Sequence, residues 1–422
     1  MRRNLVANVA GTAWSGLLTL ALVPLYVRFL GTEGYALIGF YTSLFAVVVL
    51  LDFGLGLTVN RELSRLSLHD DPRRRALDVL RAAEVVHWAI ALIAGALLYV
   101  AAPWLAVHWL DARTLAPGAV TVTLRFTAAA LACRFPYGVY AAALLGLQRH
   151  VSLNAVLIAM STVRAAGVIV LLFVVAADVR MVMAWEAGVA LLQTLLAATI
   201  AYRALPHGTA KPRLHWPVLR EGWSFARTVA VIGVLSALVS QIDKLVVSRL
   251  LPLAEFGAYA VAVTIGGVIA TIAVPIQATI FPRFSRLVAS GNDAELRRAF
   301  RSAAQLFAVT VLPAAAIAAI FSRELITLWT RNAALANEVR WTTALIATGS
   351  ALFAAMSIPY ALQLARGWLT PSVIKTLGSV ILLVPATIWG VARFGAVGAA
   401  TAWLIVNALA LAYDVTATLR RL

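Results

Sequence analysis

Among the ionisable side chains inside the long apolar stretches of this 422-residue chain, seven stand out by position. A charge within such a stretch costs about 2.5–3.5 kcal/mol on membrane-insertion scales, so an unpaired one needs a reason. Four are cations, Arg134, Arg164, Lys244 and Lys375, and three are anions, Asp52, Glu186 and Asp243. The cations have the chemistry to line a wet cavity and attract a negatively charged substrate. The carboxylates are candidates for binding a coupling proton or sodium ion. Asn8, Asn154, Gln193, Gln241 and Gln277 add neutral donors and acceptors to the same stretches. The competing reading makes the charges internal ion pairs that fix helix packing, for instance Asp52 with a nearby arginine. Shallow Glu186 and Lys375 could also reach the interface along their own stems. Asp243 and Lys244 are neighbours, about 100° apart around a helix. One is expected to face a cavity while the other pairs with an adjacent helix.

The elements that must position these groups are membrane-spanning helices. Hydrophobic residues make up 62% of the chain and charged residues 13%, against about 45–50% and 25% in soluble domains. Mean hydropathy is +0.89. A span needs about 20 mostly apolar residues, and twelve stretches qualify. The first six are Leu5–Leu30, Ala36–Val59, Ala82–Val107, Ala119–Leu145, Val151–Val175 and Met181–Tyr202. The second six are Thr228–Val247, Phe256–Ile280, Ala303–Phe321, Thr342–Leu364, Ser372–Val391 and Gly395–Tyr413. Residues 1–204 and 228–422 are the expected lobes, joined by a Pro-rich, basic connector at 205–227. Arg73–Arg81 and Glu295–Arg301 have the composition either of amphipathic extensions on the lipid surface or of ordinary solvated turns.

The net charge of +17 is spread between apolar blocks, not gathered in one patch, which speaks for loops facing anionic lipid and against nucleic acid. Most lysines and arginines fall in the loops that share a side with the N-terminus, so both termini are expected in the cytoplasm. Trp104, Trp109, Trp329 and Trp389 sit near predicted helix ends on the other side, as an interfacial belt requires. Cys133 is the one cysteine, which excludes a disulfide framework or cysteine zinc site. There is no phosphate-binding Gly-x-x-x-x-Gly-Lys-Ser/Thr loop, no His-Glu-x-x-His, and no connection long enough for a catalytic domain. The chain reads as a non-enzyme without a cofactor beyond a coupling H+ or Na+.

An internal repeat divides the chain. At an offset of 221, Arg28 falls on Arg249, Thr58 on Thr279, and Ser64-Arg65-Leu66 on Ser285-Arg286-Leu287. Pro136-Tyr137 meets Pro359-Tyr360 at 223. Six spans per half is an even number, so the repeats are expected to be parallel. Arg134 maps to Ser357 and Arg164 to Thr387, so the repeat does not carry these charges, which favours a function over a fold-supporting pair. Pro24, Pro136, Pro275, Pro313, Pro359 and Pro385 lie within predicted spans, and the recurring pair at 136 and 359 suggests bent helices, either letting each half pivot or serving as static kinks for packing.

Val23-Pro-Leu-Tyr-Val-Arg-Phe-Leu-Gly-Thr-Glu-Gly-Tyr35, followed by Leu51-Asp-Phe-Gly-Leu-Gly-Leu-Thr-Val-Asn-Arg61, resembles the opening of bacterial polysaccharide (Wzx-type) flippases. Gln241-Ile-Asp-Lys-Leu-Val-Val247, Glu255-Phe-Gly-Ala-Tyr-Ala260 and Pro282-Arg-Phe-Ser-Arg-Leu287 are similar to the same family's helix 7–8 region. Ala36 departs from the glycine usual in that family. The family belongs to the multidrug/oligosaccharidyl-lipid/polysaccharide exporter superfamily. The resemblance implies an all-α integral membrane fold, with twelve transmembrane helices in two parallel six-helix repeats forming a V-shaped bundle around a central cavity. It also implies an inner-membrane flippase for a polyprenyl-diphosphate-linked oligosaccharide, feeding O-antigen, capsule or exopolysaccharide assembly, with glycan polymerase and glycosyltransferases as neighbours. By position, Arg134, Arg164 and Lys244 are the candidates for its cavity cations. A multidrug-type exporter of the same superfamily and a non-transporting scaffold of a glycan assembly complex are the alternatives.

Overall fold

Without water to hydrogen-bond, a backbone crossing lipid must satisfy its polar groups within its own helix. The computed structural model obeys this, arranging the described residues as fourteen α-helices. It describes the backbone of residues 2–66, 71–207 and 217–421, and the side chains of residues 7–66, 71–207 and 233–421. The chain divides into two units, Met1–Val234 and Leu235–Leu422. The first holds α1 (Arg2–Val49), α2 (Leu55–Ser64), α3 (Pro72–Trp104), α4 (Pro117–Arg134), α5 (Tyr137–Gly146), α6 (His150–Val170) and α7 (Val179–Ala204). The division falls within α8 (Pro217–Leu250). The second unit continues with α9 (Leu253–Ala289), α10 (Asp293–Ile320), α11 (Ser322–Thr330), α12 (Ala333–Ala355), α13 (Ser357–Arg366) and α14 (Leu369–Leu419).

The fold class expected from hydropathy, an all-α integral membrane protein, is the one found. Nine described segments are long and apolar enough to cross a membrane. Two of them, in α1 and α14, are each two helices joined at a glycine, Gly31 (φ 73°) and Gly395 (φ 58°). With α8, this is compatible with the twelve expected spans. At Gly395 the requirement is conformational, and beside it, at Gly390 and Gly398, it is steric. A Cβ on Gly398 would stand 1.9 Å from the carbonyl oxygen of Gly390, so the two arms of α14 meet backbone to backbone.

The repeat is visible in where helices break. The turn at Gly31 corresponds to the α8–α9 junction, where Pro252 precedes Leu253. The α4–α5 break at Phe135-Pro136 corresponds to the α12–α13 break at Met356. These breaks also settle the prolines. Pro24, Pro275, Pro313 and Pro385 sit within continuous helical arms, whereas Pro136 caps α5 and Pro359 is in the first turn of α13. A first-turn N–H has no intrahelical acceptor, so a proline there gives up no bond.

Two expectations change. Arg73–Arg81 and Glu295–Arg301 are the first turns of α3 and α10, continuous with the spanning parts. In the connector, residues 208–216 lie outside the described residues, and Pro217 onward is already α8.

In the first unit α1 packs on α6, α4 on α3 and α7, and α2 on α5. Leu80, Leu144, Val139 and Tyr140 lie at the centre of one buried cluster there. In the second unit α9, α10, α12 and α13 build a cluster that includes Phe284, Phe307, Val311 and Leu362. Large apolar side chains such as Val100, Val174, Val309 and Leu328 stay at least three-quarters exposed, which suits surfaces that face acyl chains.

Candidate functional site

Arg134 and Arg164 converge on one carboxylate. Arg164 Nε donates to Glu186 Oε2 at 2.7 Å, and Arg134 Nη1 reaches Glu186 Oε1 at 3.4 Å. Arg134 Nη1 also donates to the Tyr41 hydroxyl at 3.1 Å, which itself donates to Glu186 Oε1 at 3.3 Å. Arg164 Nη2 donates to Gln193 Oε1 at 3.2 Å, from a residue two helical turns beyond Glu186 on the same face of α7. Four helices therefore meet here: the second arm of α1, α4, α6 and α7.

Local sequence explains the placement. Pro136 has no N–H and cannot extend α4, so that helix ends at Arg134, whose cation sits at the negative end of the helix dipole. The guanidinium lies over the Phe45 ring, 4.6 Å from its centroid. Gly167 leaves room for Trp185, whose indole donates to the Arg164 carbonyl at 3.2 Å and holds α7 against α6.

Two cations share one anion, so the cluster keeps one positive charge in excess. It is also open: the Arg134 side chain is 34% exposed, Arg164 19% and Glu186 12%. A bidentate fork with spare N–H donors at such a place suits phosphate or carboxylate oxygens.

Beside it lies a cavity of about 230 Å³ lined by Phe45, Asp52, His87, Arg134, Phe135 and Tyr137 among others. Asp52 is placed by a helix break. After α1, residues Leu50–Asp52 form a 3₁₀ turn, Phe53 (φ 43°) and Gly54 (φ 80°) are left-handed, and α2 starts at Leu55. Both Asp52 oxygens accept from the Gly56 N–H, at 3.1 and 3.2 Å, at the positive end of α2. Its side-chain partner is His87, not an arginine: Nε2 lies 2.8 Å from Oδ1.

The other candidates are in the second unit, and both lysines have acidic partners. Asp243 accepts from the Tyr259 hydroxyl of α9 at 2.6 Å, as expected of a residue paired with a neighbouring helix. Lys244, however, folds back onto it at 3.2 Å and also bonds the Ser240 carbonyl. A long lysine stem bridges the angle that separates the two Cβ atoms. Lys375 donates to Asp414 Oδ2 at 3.1 Å, and Asp414 is fully buried. Gln363 donates to Asp414 Oδ1 at 2.6 Å and accepts from Ser372 at 2.6 Å.

Sequence reasoning named Arg134, Arg164, Glu186 and Asp52 but missed Tyr41, His87 and Asp414. Its survey of buried charges left out histidine, and Asp414 fell one residue past the expected last span. An intramembrane histidine three residues after Glu84 was the available signal for His87.

This geometry sits on a known architecture. An inward-facing multidrug resistance MATE family transporter of the MOP superfamily matches with a TM-score of 0.81 at 14% identity, over 96% of this chain and 94% of that one. Lipid II flippase MurJ, in an inward closed conformation, matches with 0.73 at 13% identity, over 98% and 87%. A MOP superfamily transporter from Pyrococcus furiosus, described as having a binding pocket of reverse polarity, matches with 0.67 at 15% identity, over 99% and 94%. These likenesses establish the fold. No curated protein matches the sequence significantly.

The class is thus a multi-pass membrane protein with the MOP transporter fold. The sequence profile described as "Polysaccharide biosynthesis protein" matches residues 1–288. The chain belongs to that family.

Proposed function

We propose that this protein flips a polyprenyl-diphosphate-linked oligosaccharide across the bacterial inner membrane by alternating access, for O-antigen, capsule or exopolysaccharide synthesis. A sugar-diphosphate head cannot cross hydrocarbon unaided, while its polyprenyl tail never has to leave it. The observation that carries this reading is the surplus cation of the Arg134–Glu186–Arg164 cluster, exposed next to a cavity. Arg134 and Arg164 bind the diphosphate, and Glu186 holds both guanidinium planes in place. Lys244 and Lys375, each already matched by a carboxylate, serve packing in this reading. Both termini lie in the cytoplasm, where the polymerase and glycosyltransferases of glycan assembly are suitable neighbours.

Purified protein in vesicles carrying a fluorescent polyprenyl-diphosphate trisaccharide in the inner leaflet provides the test, with dithionite quenching reporting arrival outside. Flipping that Arg134→Ala slows by about 10- to 100-fold is the expected result. Vesicles that instead take up an organic cation, and leave the lipid unmoved, would establish the exporter. Movement of neither would leave the scaffold.

A further inference from the structure

His87 is buried, 1% exposed, in the middle of α3, and both ring nitrogens face oxygen. Nδ1 lies 2.8 Å from the Ala83 carbonyl and Nε2 lies 2.8 Å from Asp52 Oδ1. A carbonyl oxygen only accepts, so the first contact requires a proton on Nδ1. The second contact then requires a proton as well, on Nε2 or on the carboxyl, because two lone pairs do not approach to 2.8 Å in a buried place. Together the two groups hold one proton more than a neutral imidazole beside a carboxylate. The pair is neutral with that proton and carries one negative charge without it.

Surroundings make the proton exchangeable. The Phe135 ring stacks on His87 with centroids 5.3 Å apart and closes one side. On the other, the Asp52 side chain is 27% exposed and lines the 230 Å³ cavity together with Arg134 and Tyr137. The remaining ionisable groups near this part of α3 are engaged elsewhere. Glu84, one turn earlier, accepts from the hydroxyls of Tyr140 on α5 and Tyr202 on α7 and from Arg81. Glu62 of α2 pairs with Arg75, three turns away along α3. The charge that Asp52 and His87 gain or lose is therefore presented to the cavity and to Arg134.

We propose that Asp52 and His87 form a proton-binding site whose occupancy sets the charge of the cavity wall beside Arg134, so that an anion and a proton bind together. A proton from cavity water forms a new N–H bond at Nε2, or O–H bond at Asp52, and no other bond changes. Without that proton, the negative pair attracts Arg134 and competes with an incoming anion. With it, the arginine is free for the anion. Binding linkage is reciprocal, so the anion must favour protonation by the same factor. The linkage half of the proposal rests on the anion-binding reading of Arg134; the proton site does not.

Two measurements on the full-length protein in detergent micelles separate these halves. The first is the ¹⁵N spectrum of histidine-labelled protein, with His87 assigned by comparison with His87→Gln. A proton on Nδ1 at low pH, with loss of one proton from the pair as pH rises, is the expected result. A neutral ring protonated on Nε2 alone, with Nδ1 bare at every pH, would overturn the site. The second is binding of methanedisulfonate, a dianion that does not titrate near neutrality. Its affinity should fall as pH rises through the transition seen by ¹⁵N, by up to about tenfold per pH unit for one linked proton, and lose that slope in Asp52→Asn. An equal slope in Asp52→Asn would overturn the linkage. No binding at any pH would instead reject the anion reading and leave the ¹⁵N result to decide the proton site.

Discussion

The two units solve the problem of charge in lipid in opposite ways. In the second, Lys375 meets Asp414, and Gln363, Thr418 and Ser372 complete the shell. Charges match one to one and Asp414 is sealed from solvent. In the first, two arginines share Glu186, and one-third of the Arg134 side chain stays open. The repeat positions of these arginines, Ser357 and Thr387, hold buried hydroxyls with no hydrogen-bond partner among the described residues. A matched, closed network holds helices together, since every group already has what it needs. An unmatched, open one keeps donors in reserve. From charge balance and exposure we propose a structural role for the first of these clusters and a binding role for the second.

The largest effect should come from breaking the closed cluster. Asp414→Ala leaves Lys375 without its anion and Gln363 without an acceptor, at a cost of about 3–5 kcal/mol. Thermal unfolding in detergent and the yield of folded protein should both fall. Restoring the balance with Lys375→Met/Asp414→Leu should recover most of that loss, since apolar replacement of a buried pair is often neutral. A double variant as unstable as the single would contradict the structural assignment.

The open cluster should respond the other way. Arg134→Ala or Arg164→Ala should leave membrane levels of the protein normal and cut transport by about 10- to 100-fold, the worth of a charge-assisted bond to phosphate. Surface glycan in a complemented flippase-deficient strain is the readout. Retained glycan would reject the role of that arginine. Glu186→Gln sharpens the contrast: it raises the cluster's excess charge from one to two, so anion binding should tighten severalfold while stability drops by about 1–3 kcal/mol. Weaker binding would mean that the carboxylate's positioning outweighs its charge.

How much of this was legible beforehand differs between fold and site. The spans were legible because lipid imposes one rule on every helix, and apolar length reports it directly. Helix breaks were legible only where a proline or a gap between apolar stretches marks them; the left-handed turn at Phe53-Gly54 was not, since hydropathy is blind to φ. The chain stays apolar from Ala119 to Leu145 while α4 stops at Arg134, and that stop is what delivers the side chain. Arg134 and Arg164 could be picked out individually as costly residues. Their meeting at Glu186 joins residues 52 and 22 positions apart, which no periodicity connects. His87 escaped notice for a chemical reason: its importance lies in what its two nitrogens face, not in its type.

The smallest effect belongs to a third regime, an ion pair in water, and it calibrates the other two. Asp178 sits before α7, where its carboxylate caps the helix by accepting from the Arg180 N–H at 2.8 Å and pairs with the Arg180 guanidinium. The hydrogen bonds from Arg180 hold this carboxyl below its ordinary range, against a smaller opposing effect of burial. A lowered folded-state value means that the stabilisation is present above the unfolded value, about pH 4, and is lost as pH falls further. Exposure screens the ion pair, so most of the contribution is the cap. Asp178→Ala should therefore cost about 1 kcal/mol at pH 7, and Asp178→Asn, an equally good cap without charge, only a few tenths. At pH 3 the wild type should approach the alanine variant while the asparagine variant stays unchanged. If Asp178→Asn proves as damaging as Asp178→Ala at pH 7, charge outweighs geometry even in water, and the ranking of the two intramembrane clusters by charge balance would extend to the surface.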